Sequence, residues 1–521
     1  MIDGTKLTSR PNGGATVCWL AGLFLSYVML SGERSTEVAS RAALCLAGTF
    51  AVATGFEILR NWKALLRPDI VALLALYGLT FFEFLLPQPQ VNEMVNAKSM
   101  HTACALAFLA FGSMVVGRHF APRAPKFLED LVQRPTPPRV LLTVLWLSFF
   151  LGTFYMLLAV NFDVPKMIDA MMGPRFTQPW GRGRYGDARA LLNEVGAMIN
   201  LVPPVAGLIL SSREKYRPYT WIAVALVYAF CLFMGLAGST RNVLAAYIIT
   251  FLIAYSLNLT RKRIPEFAIL CVCAAAGFYA ASKIMLETRT VGLKGYLKAR
   301  SEARALPHIS FEAAEAETFF VDLNLVNVAQ LADVFPSKHD FLGLEVPYVA
   351  LTHPIPRVLW PDKPEGLSIS MEDALGVDPE MTVSSTYIGE SYMAGGAFAV
   401  VITGLMFGAL TGWWARFAVG LSSGLGLLIY ASGFLAIAIS MRSLYVFSVA
   451  VLPTIAAMVL AMLLNPRTRR EPRGTASGPP FNAFCESKLP ASLAVAGDHA
   501  PRPEGASEPG PGLPVNGHAR F

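Results

Sequence analysis

Apolar stretches recur along the chain, separated by short polar or basic turns. They cover 15–30, 42–59, 69–87, 101–117, 139–160, 190–210, 218–238, 242–258, 264–283, 393–413, 419–440 and 443–464. A helix needs about 20 apolar residues to cross a hydrocarbon layer of about 30 Å, and these stretches approach that length. Barrel strands would be roughly half as long and would alternate in polarity. The pattern therefore predicts an all-α polytopic membrane protein with about twelve transmembrane helices. Pro203 and Pro204 in "LVPPVAGLIL" should kink or break the sixth segment. The run from Ala15 lacks a clear small-residue cleavage pattern and is expected to be a retained first span rather than a removed signal peptide.

Polar interruptions divide the chain further. Residues 1–14 form an N-terminal segment, 15–283 the first nine helices, 284–392 a large connecting region, 393–464 the last three helices, and 465–521 a Pro, Gly, Ala and Ser tail expected to be disordered. Lys and Arg concentrate in alternate turns: "RNWKALLR" (60–67), the segment with Arg118, Arg123, Lys126 and Arg134, "SREKYR" (212–217) and "RKR" (261–263). The positive-inside bias then places both termini in the cytoplasm and turns 161–189 and 284–392 outward.

Within 284–392, "FFVDLNLVNVAQLADVF" sets Val321, Leu325, Val328, Leu331 and Phe335 at helical spacing, either as an interfacial, lid-like helix or as one packed onto the bundle. The following "VPYVALTHPIPRVLWPDKP" carries five prolines, which exclude a continuous helix and favour a stiff, mostly extended path.

Composition supports the membrane reading: 54% of residues are hydrophobic and only 15% charged, well under the roughly 25% charged content of soluble domains. Basic turns and the tail account for much of the net charge of +7, so nucleic acid is not needed to explain it. Six of the seven cysteines lie in apolar segments, and Cys271 and Cys273, without His or acidic neighbours, read as small lipid-buried residues rather than metal ligands.

The two outward connections carry arginines against the topological trend. "MMGPRFTQPWGRGRYGDAR" combines Arg175, Arg182 and Arg184 with Trp180, Tyr185 and several glycines, a mixture suited to a sugar linked to phosphate or to a flexible surface loop. In "HPIPRVLWPDKP" (353–364), prolines restrain Arg357, whose planar donors suit a phosphate, while Lys363 offers a point charge; a salt bridge to a loop carboxylate is the alternative. Arg241 in "GSTRN" and Arg442 in "ISMRSLY" lie at span ends on the same predicted side, as ligands or as snorkelling anchors. Glu390 in "YIGESYMAGG", flanked by Tyr387 and Tyr392, is a candidate general base, an electrostatic partner or an interface charge, and His353 is a weaker candidate base. No phosphate loop or dinucleotide fingerprint is present, so an energy source or activated sugar should come from elsewhere, and an enzyme working outside the membrane could use a lipid diphosphate as leaving group.

The span layout, the loop with "HPIPRVLWPDKP", "YIGESYMAGG", "GSTRN" and the arginine-bearing 161–189 connection together resemble the bacterial O-antigen or oligosaccharide repeat-unit polymerases, the Wzy-type family, over roughly 15–464. One family loop pattern, arginine followed eleven positions later by glycine, is matched by Arg175 and Gly186 but not by Arg357 or Arg289.

The resemblance implies a metal-independent, inverting glycosyltransferase of the bacterial inner membrane, without a cofactor, acting in O-antigen lipopolysaccharide or exopolysaccharide synthesis. Its substrate would be an oligosaccharide on undecaprenyl diphosphate. Its surroundings would be membrane lipid, a chain-length regulator and other polysaccharide-assembly proteins. It does not identify the base. An O-antigen ligase is the nearest enzymatic alternative, and a secondary transporter or flippase of anionic glycolipids is the alternative from another class.

Overall fold

Prolines and short polar caps mark where the helices begin. Pro68, Pro138, Pro203, Pro218 and Pro265 occupy first-turn positions, where a missing N–H breaks no helical bond. Asn12, Asn96, Ser423 and Ser443 each accept a hydrogen bond from a first-turn amide. A computed structural model describes residues 10–174, 177–180, 192, 195–259, 261–302, 323–355, 359–364, 366–377, 383–417 and 423–464. The tail, 465–521, and Val321 lie outside these residues.

The helices are α1 (Gly13–Val28), α2 (Ser35–Arg60), α3 (Pro68–Thr80), α4 (Val91–Met94), α5 (Ala97–Gly117), α6 (Lys126–Gln133), α7 (Pro138–Ala159), α8 (Val164–Met171), α9 (Val202–Ser211) and α10 (Pro218–Ala237). They continue with α11 (Arg241–Leu257), α12 (Ile264–Ser301), α13 (Asn324–Val334), α14 (Glu345–Thr352), α15 (Met371–Leu375), α16 (Thr386–Phe417), α17 (Gly424–Ser440), α18 (Leu444–Ala450) and α19 (Leu452–Leu464). Every regular element among the described residues is helical.

Seven helical stretches are long and apolar enough to cross a membrane: α2, α5, α7, α10, the first part of α12, α16, and α18 with α19. Shorter apolar helices of 10–17 residues occupy the other apolar segments, including α1, α3, α11 and α17. The chain is a multi-pass helical membrane protein. Pro203 and Pro204 start α9 after a 3-10 turn at Ala197–Leu201, so the expected break is realised as a helix start.

At the centre α5 and α16 run side by side in the same direction. Gly404, Gly408 and Gly412 face Ser113, Met114 and Arg118, and a Cβ at any of the three would collide with that neighbour. Glycines at four-residue spacing let two backbones approach closely, the association mode favoured in lipid. A continuous apolar core spreads from this pair through Trp19, Leu46, Leu76, Phe111, Val205 and Phe434.

The parallel course of α5 and α16 gives the bundle two distinguishable ends. At one end Ser35 Oγ donates to Val91 O (3.2 Å), and Ser99 Oγ donates to the Asp333 carboxylate (2.6 Å). The first residues of α2, α5 and α16 gather there with α13. At the other end Glu57, Arg67, Asp69 and Arg118 close a buried cluster.

Arg67 and Arg118 belong to turns expected to be cytoplasmic, yet both are only 1% exposed. Arg67 grips Asp69 through Nε (3.0 Å) and Nη2 (2.7 Å) and reaches Glu57 (3.3 Å); Arg118 pairs with Asp69 (3.1 Å) and Glu57 (3.4 Å). Two carboxylates thus neutralise two guanidiniums. Arg118 also donates to Thr16 Oγ1 (2.7 Å) and Glu57 accepts from Asn12 N (3.1 Å), which ties α1 to the same knot. Tyr430 OH donates to Leu66 O (2.9 Å) from α17.

The segment after α12 decides between two readings of one helix and corrects the expectation for the proline-rich stretch. Asn324–Val334 is helical, and Leu325, Val328, Leu331 and Phe335 are fully buried, so α13 is packed into the bundle rather than poised as a lid. Asn324 Nδ2 donates to Leu79 O (2.8 Å) and Asn327 Nδ2 to Ser384 O (2.7 Å), fixing both sides of this helix. The proline-rich stretch begins as a helix, α14, with Pro347 in its first turn. Only after Thr352 do prolines force turns, because there they would remove amides from a helix interior.

Candidate functional site

Glu390 is placed by a break in its own helix. Inside α16 Gly395 (φ −174°, ψ 36°) and Gly396 (φ 66°, ψ −155°) interrupt the helical path. The Gly396 conformation is one that a Cβ makes costly. Carbonyls released by the break are taken up by a loop: Leu342 N donates to Met393 O (2.9 Å) and Gly343 N to Ala394 O (2.8 Å). Phe341 lies against Gly396 and meets Tyr392 edge-on at 5.8 Å. Broken backbone at membrane depth is tolerated where protein satisfies it in this way. The half-helix 386–394 is thereby separated in direction from the rest of α16 and held over the start of α18.

Glu390 is 5% exposed. Its Oε1 accepts from Ser443 Oγ (2.6 Å) and its Oε2 from Leu444 N (2.6 Å), while Ser443 Oγ accepts from Tyr445 N (3.2 Å). A carboxylate and a hydroxyl therefore share the free amides at the start of α18, where negative charge is favoured. Among the described residues both donors to Glu390 are neutral groups. The carboxylate is consequently held in place by hydrogen bonds, without the charge compensation seen around Asp69.

The proline-rich turn lies against the same helix start. His353 ends α14, and its ring is 6.2 Å from that of Tyr445. Lys363 Nζ donates to His353 O (2.7 Å) and Ile355 O (3.0 Å), closing the turn upon itself. Ser368 Oγ donates to Glu345 (2.8 Å), returning the next segment to α14. Arg442 sits between α17 and α18, its Nε 3.5 Å from Ser384 Oγ. Thus Glu390, His353 and Arg442, distant in sequence, meet around 384–390 and 442–445, and Lys363 is tied to the carbonyl of His353.

Other expected site residues are placed elsewhere or occupied differently. Tyr392 OH donates to Phe335 O (3.3 Å). Trp180 packs on an apolar cluster with Met167, Met171 and Leu293. Arg241 begins α11, following Ser239, whose hydroxyl meets Thr288 Oγ1 at 2.9 Å. Arg175, Arg182, Arg184 and Arg357 lie outside the described residues.

Sequence reasoning missed Ser443 and Tyr445. Serine directly before an apolar run in "MRSLYVF" is a helix-start signal, and it would have directed attention from Arg442 to the next residue. The carboxylate can orient the Ser443 hydroxyl and fix the helix end. Removing a proton from another molecule would require Glu390 to exchange one of these two donors.

Residues 318–466 match a family described as "Domain of unknown function (DUF8712)". The match spans α13 to α19 and includes the whole convergence around Glu390. No curated protein and no solved structure matches the chain.

Proposed function

We propose that this protein is a membrane glycosyltransferase that polymerises lipid-linked repeat units, moving a growing glycan from undecaprenyl diphosphate to a sugar hydroxyl of another unit. The observation that carries the reading is the docking of the basic, proline-rich turn beside the helix start capped by Glu390. The sequence resemblance to repeat-unit polymerases supplies the substrate class. In this reading the chain crosses the bacterial inner membrane about twelve times with both termini cytoplasmic, and the connections at 161–189 and 284–392 face outward.

In the transfer, the acceptor hydroxyl oxygen forms a bond to the anomeric carbon as the bond from that carbon to the diphosphate oxygen breaks. The bonding pair leaves with undecaprenyl diphosphate, and inversion follows from attack opposite the leaving group. Arg357 offers bidentate charge-assisted hydrogen bonds to that group, with Arg175, Arg182, Arg184, Arg241 and Arg442 as further sources of positive charge. Lys363 ties itself to the carbonyls of His353 and Ile355. Glu390 takes the hydroxyl proton after exchanging one of its present donors, and Ser443 keeps the carboxylate aligned.

Purified protein supplied with its native lipid-diphosphate repeat unit should produce a ladder of longer glycans. A single transfer onto a different lipid acceptor would reassign the protein as a ligase. Movement of the intact glycolipid across a proteoliposome bilayer without a new glycosidic bond would reassign it as a transporter.

A further inference from the structure

A second polar feature lies at the same end of the bundle, away from Glu390. The α1–α2 turn and the first turn of α5 enclose an open cleft of about 500 Å³, lined by Ser31, Gly32, Val38, Lys98, His101 and Thr102 among others. Lys98 and Thr102 are exposed, and His101 is half-buried with its ring 5.8 Å from Tyr27. Arg41 reaches Ser31 on the opposite wall, donating to its carbonyl (2.9 Å) and hydroxyl (2.5 Å). Glu37 lies against Gly32 and Glu33 follows that glycine in the chain, so the positive charge at the rim comes from Lys98 on α5 and Arg41 on α2 beside these acidic neighbours.

Below the cleft α1 presents Leu20, Phe24 and Tyr27 on its outer surface, exposed by 41%, 70% and 49%. Their spacing puts them on one helical face. A hydroxyl-bearing rim that presents Lys98 and Arg41 above an apolar stripe suits a molecule with a phosphate head and a hydrocarbon tail.

We propose that this cleft binds the phosphate of an anionic glycerophospholipid, with its acyl chains along Leu20, Phe24 and Tyr27. Lys98 supplies the charge, while the His101 ring supplies a hydrogen bond; the Thr102 hydroxyl donates to Lys98 O (3.2 Å). The side chain of Arg41 is already directed toward this rim by Ser31 and lends a second charge. A cleft of this size accommodates a compact headgroup, and none of its lining residues belongs to the convergence around Glu390.

The full-length protein, delipidated in detergent and titrated with phosphatidylglycerol, should retain that lipid in native mass spectrometry about tenfold more strongly than phosphatidylcholine. Lys98→Glu should lower phosphatidylglycerol retention by about tenfold, and Lys98→Arg should preserve it. Lys98 is exposed, so both variants test binding rather than folding. Inorganic phosphate at the same concentration should leave retention unchanged. Equal retention of the two lipids, wild-type retention by Lys98→Glu, or displacement by inorganic phosphate would each overturn the assignment. The measurement involves no glycan, so its failure leaves the transfer reaction standing, and failure of that reaction leaves the lipid site standing.

Discussion

The two ends of the bundle treat buried carboxylates in opposite ways. Asp69 is surrounded by Arg67 and Arg118, which are joined also to Glu57, so four charges sum to zero and each has a charged partner. Glu390 is as deeply placed, but among the described residues it is held by a hydroxyl and a backbone amide. Compensated charge fixes structure and has no proton to give or take without breaking ion pairs. A carboxylate kept by neutral donors retains chemical freedom. The contrast separates the part of the molecule that locks helices together from the part to which the proposed transfer is assigned.

Removing one member of the compensated cluster should have the largest effect. Asp69→Ala leaves two buried guanidiniums sharing one carboxylate and should destabilise the protein by about 3–5 kcal/mol, seen as loss of folded, monodisperse protein in detergent. Wild-type thermal stability in this variant would dissolve the distinction between the two ends.

Glu390→Gln should act on the other side of the comparison. The amide retains the shape and can still accept from Leu444 N, so folding should survive while glycan transfer falls by about a hundredfold. Unchanged transfer over the whole pH range would remove the base role and leave Glu390 as a helix cap. Gly396→Ala should be intermediate, because its φ of 66° with ψ of −155° suits glycine; a cost of about 1–3 kcal/mol is expected in thermal unfolding. Lys363→Met should retain the fold but release the turn at His353 and Ile355, raising the apparent KM for the lipid-linked donor by roughly tenfold. A KM equal to wild type would show that Lys363 does not hold the donor site in shape.

The smallest effect should come from the edge of the charged cluster. His119 Nε2 is 2.8 Å from Thr16 Oγ1. Partial desolvation, with Arg118 and Arg67 nearby, lowers the pKa of this imidazole below its ordinary value. The folded protein therefore binds that proton less readily than the unfolded chain. The contribution is present above the ordinary histidine pKa of about 6.5 and is lost as pH falls through the lower folded value. Apparent melting temperature should drop more between pH 7.5 and pH 5.5 for wild type than for His119→Gln, about those two buffer conditions; parallel curves would remove His119 from the linkage.

Hydrophobic periodicity was sufficient to locate the apolar helices, since each needs only a run of compatible residues. It also identified the face of α13, because Leu325, Val328 and Leu331 follow a single helical stripe. What covered that stripe was not legible: the answer depends on Asn324 and Asn327 finding carbonyls at Leu79 and Ser384, far away in sequence. Arg67 and Arg118 show the same limit. Their letters resemble any basic turn, and only folding reveals Glu57 and Asp69 as their partners. At the candidate site, Glu390 was visible as a carboxylate beside glycines, whereas its donors come from a segment more than fifty residues later.

The broken α16 has a mechanical consequence. Amides of Leu342 and Gly343 grip the carbonyls on the N-terminal side of Gly395, while the glycine row beyond it is clamped to α5. The short arm bearing Glu390 is therefore geared to the 341–343 loop rather than to the long shaft of the span. A pull on that loop would pass through the short arm to Glu390 and, through its bonds to Ser443 and Leu444, to the start of α18.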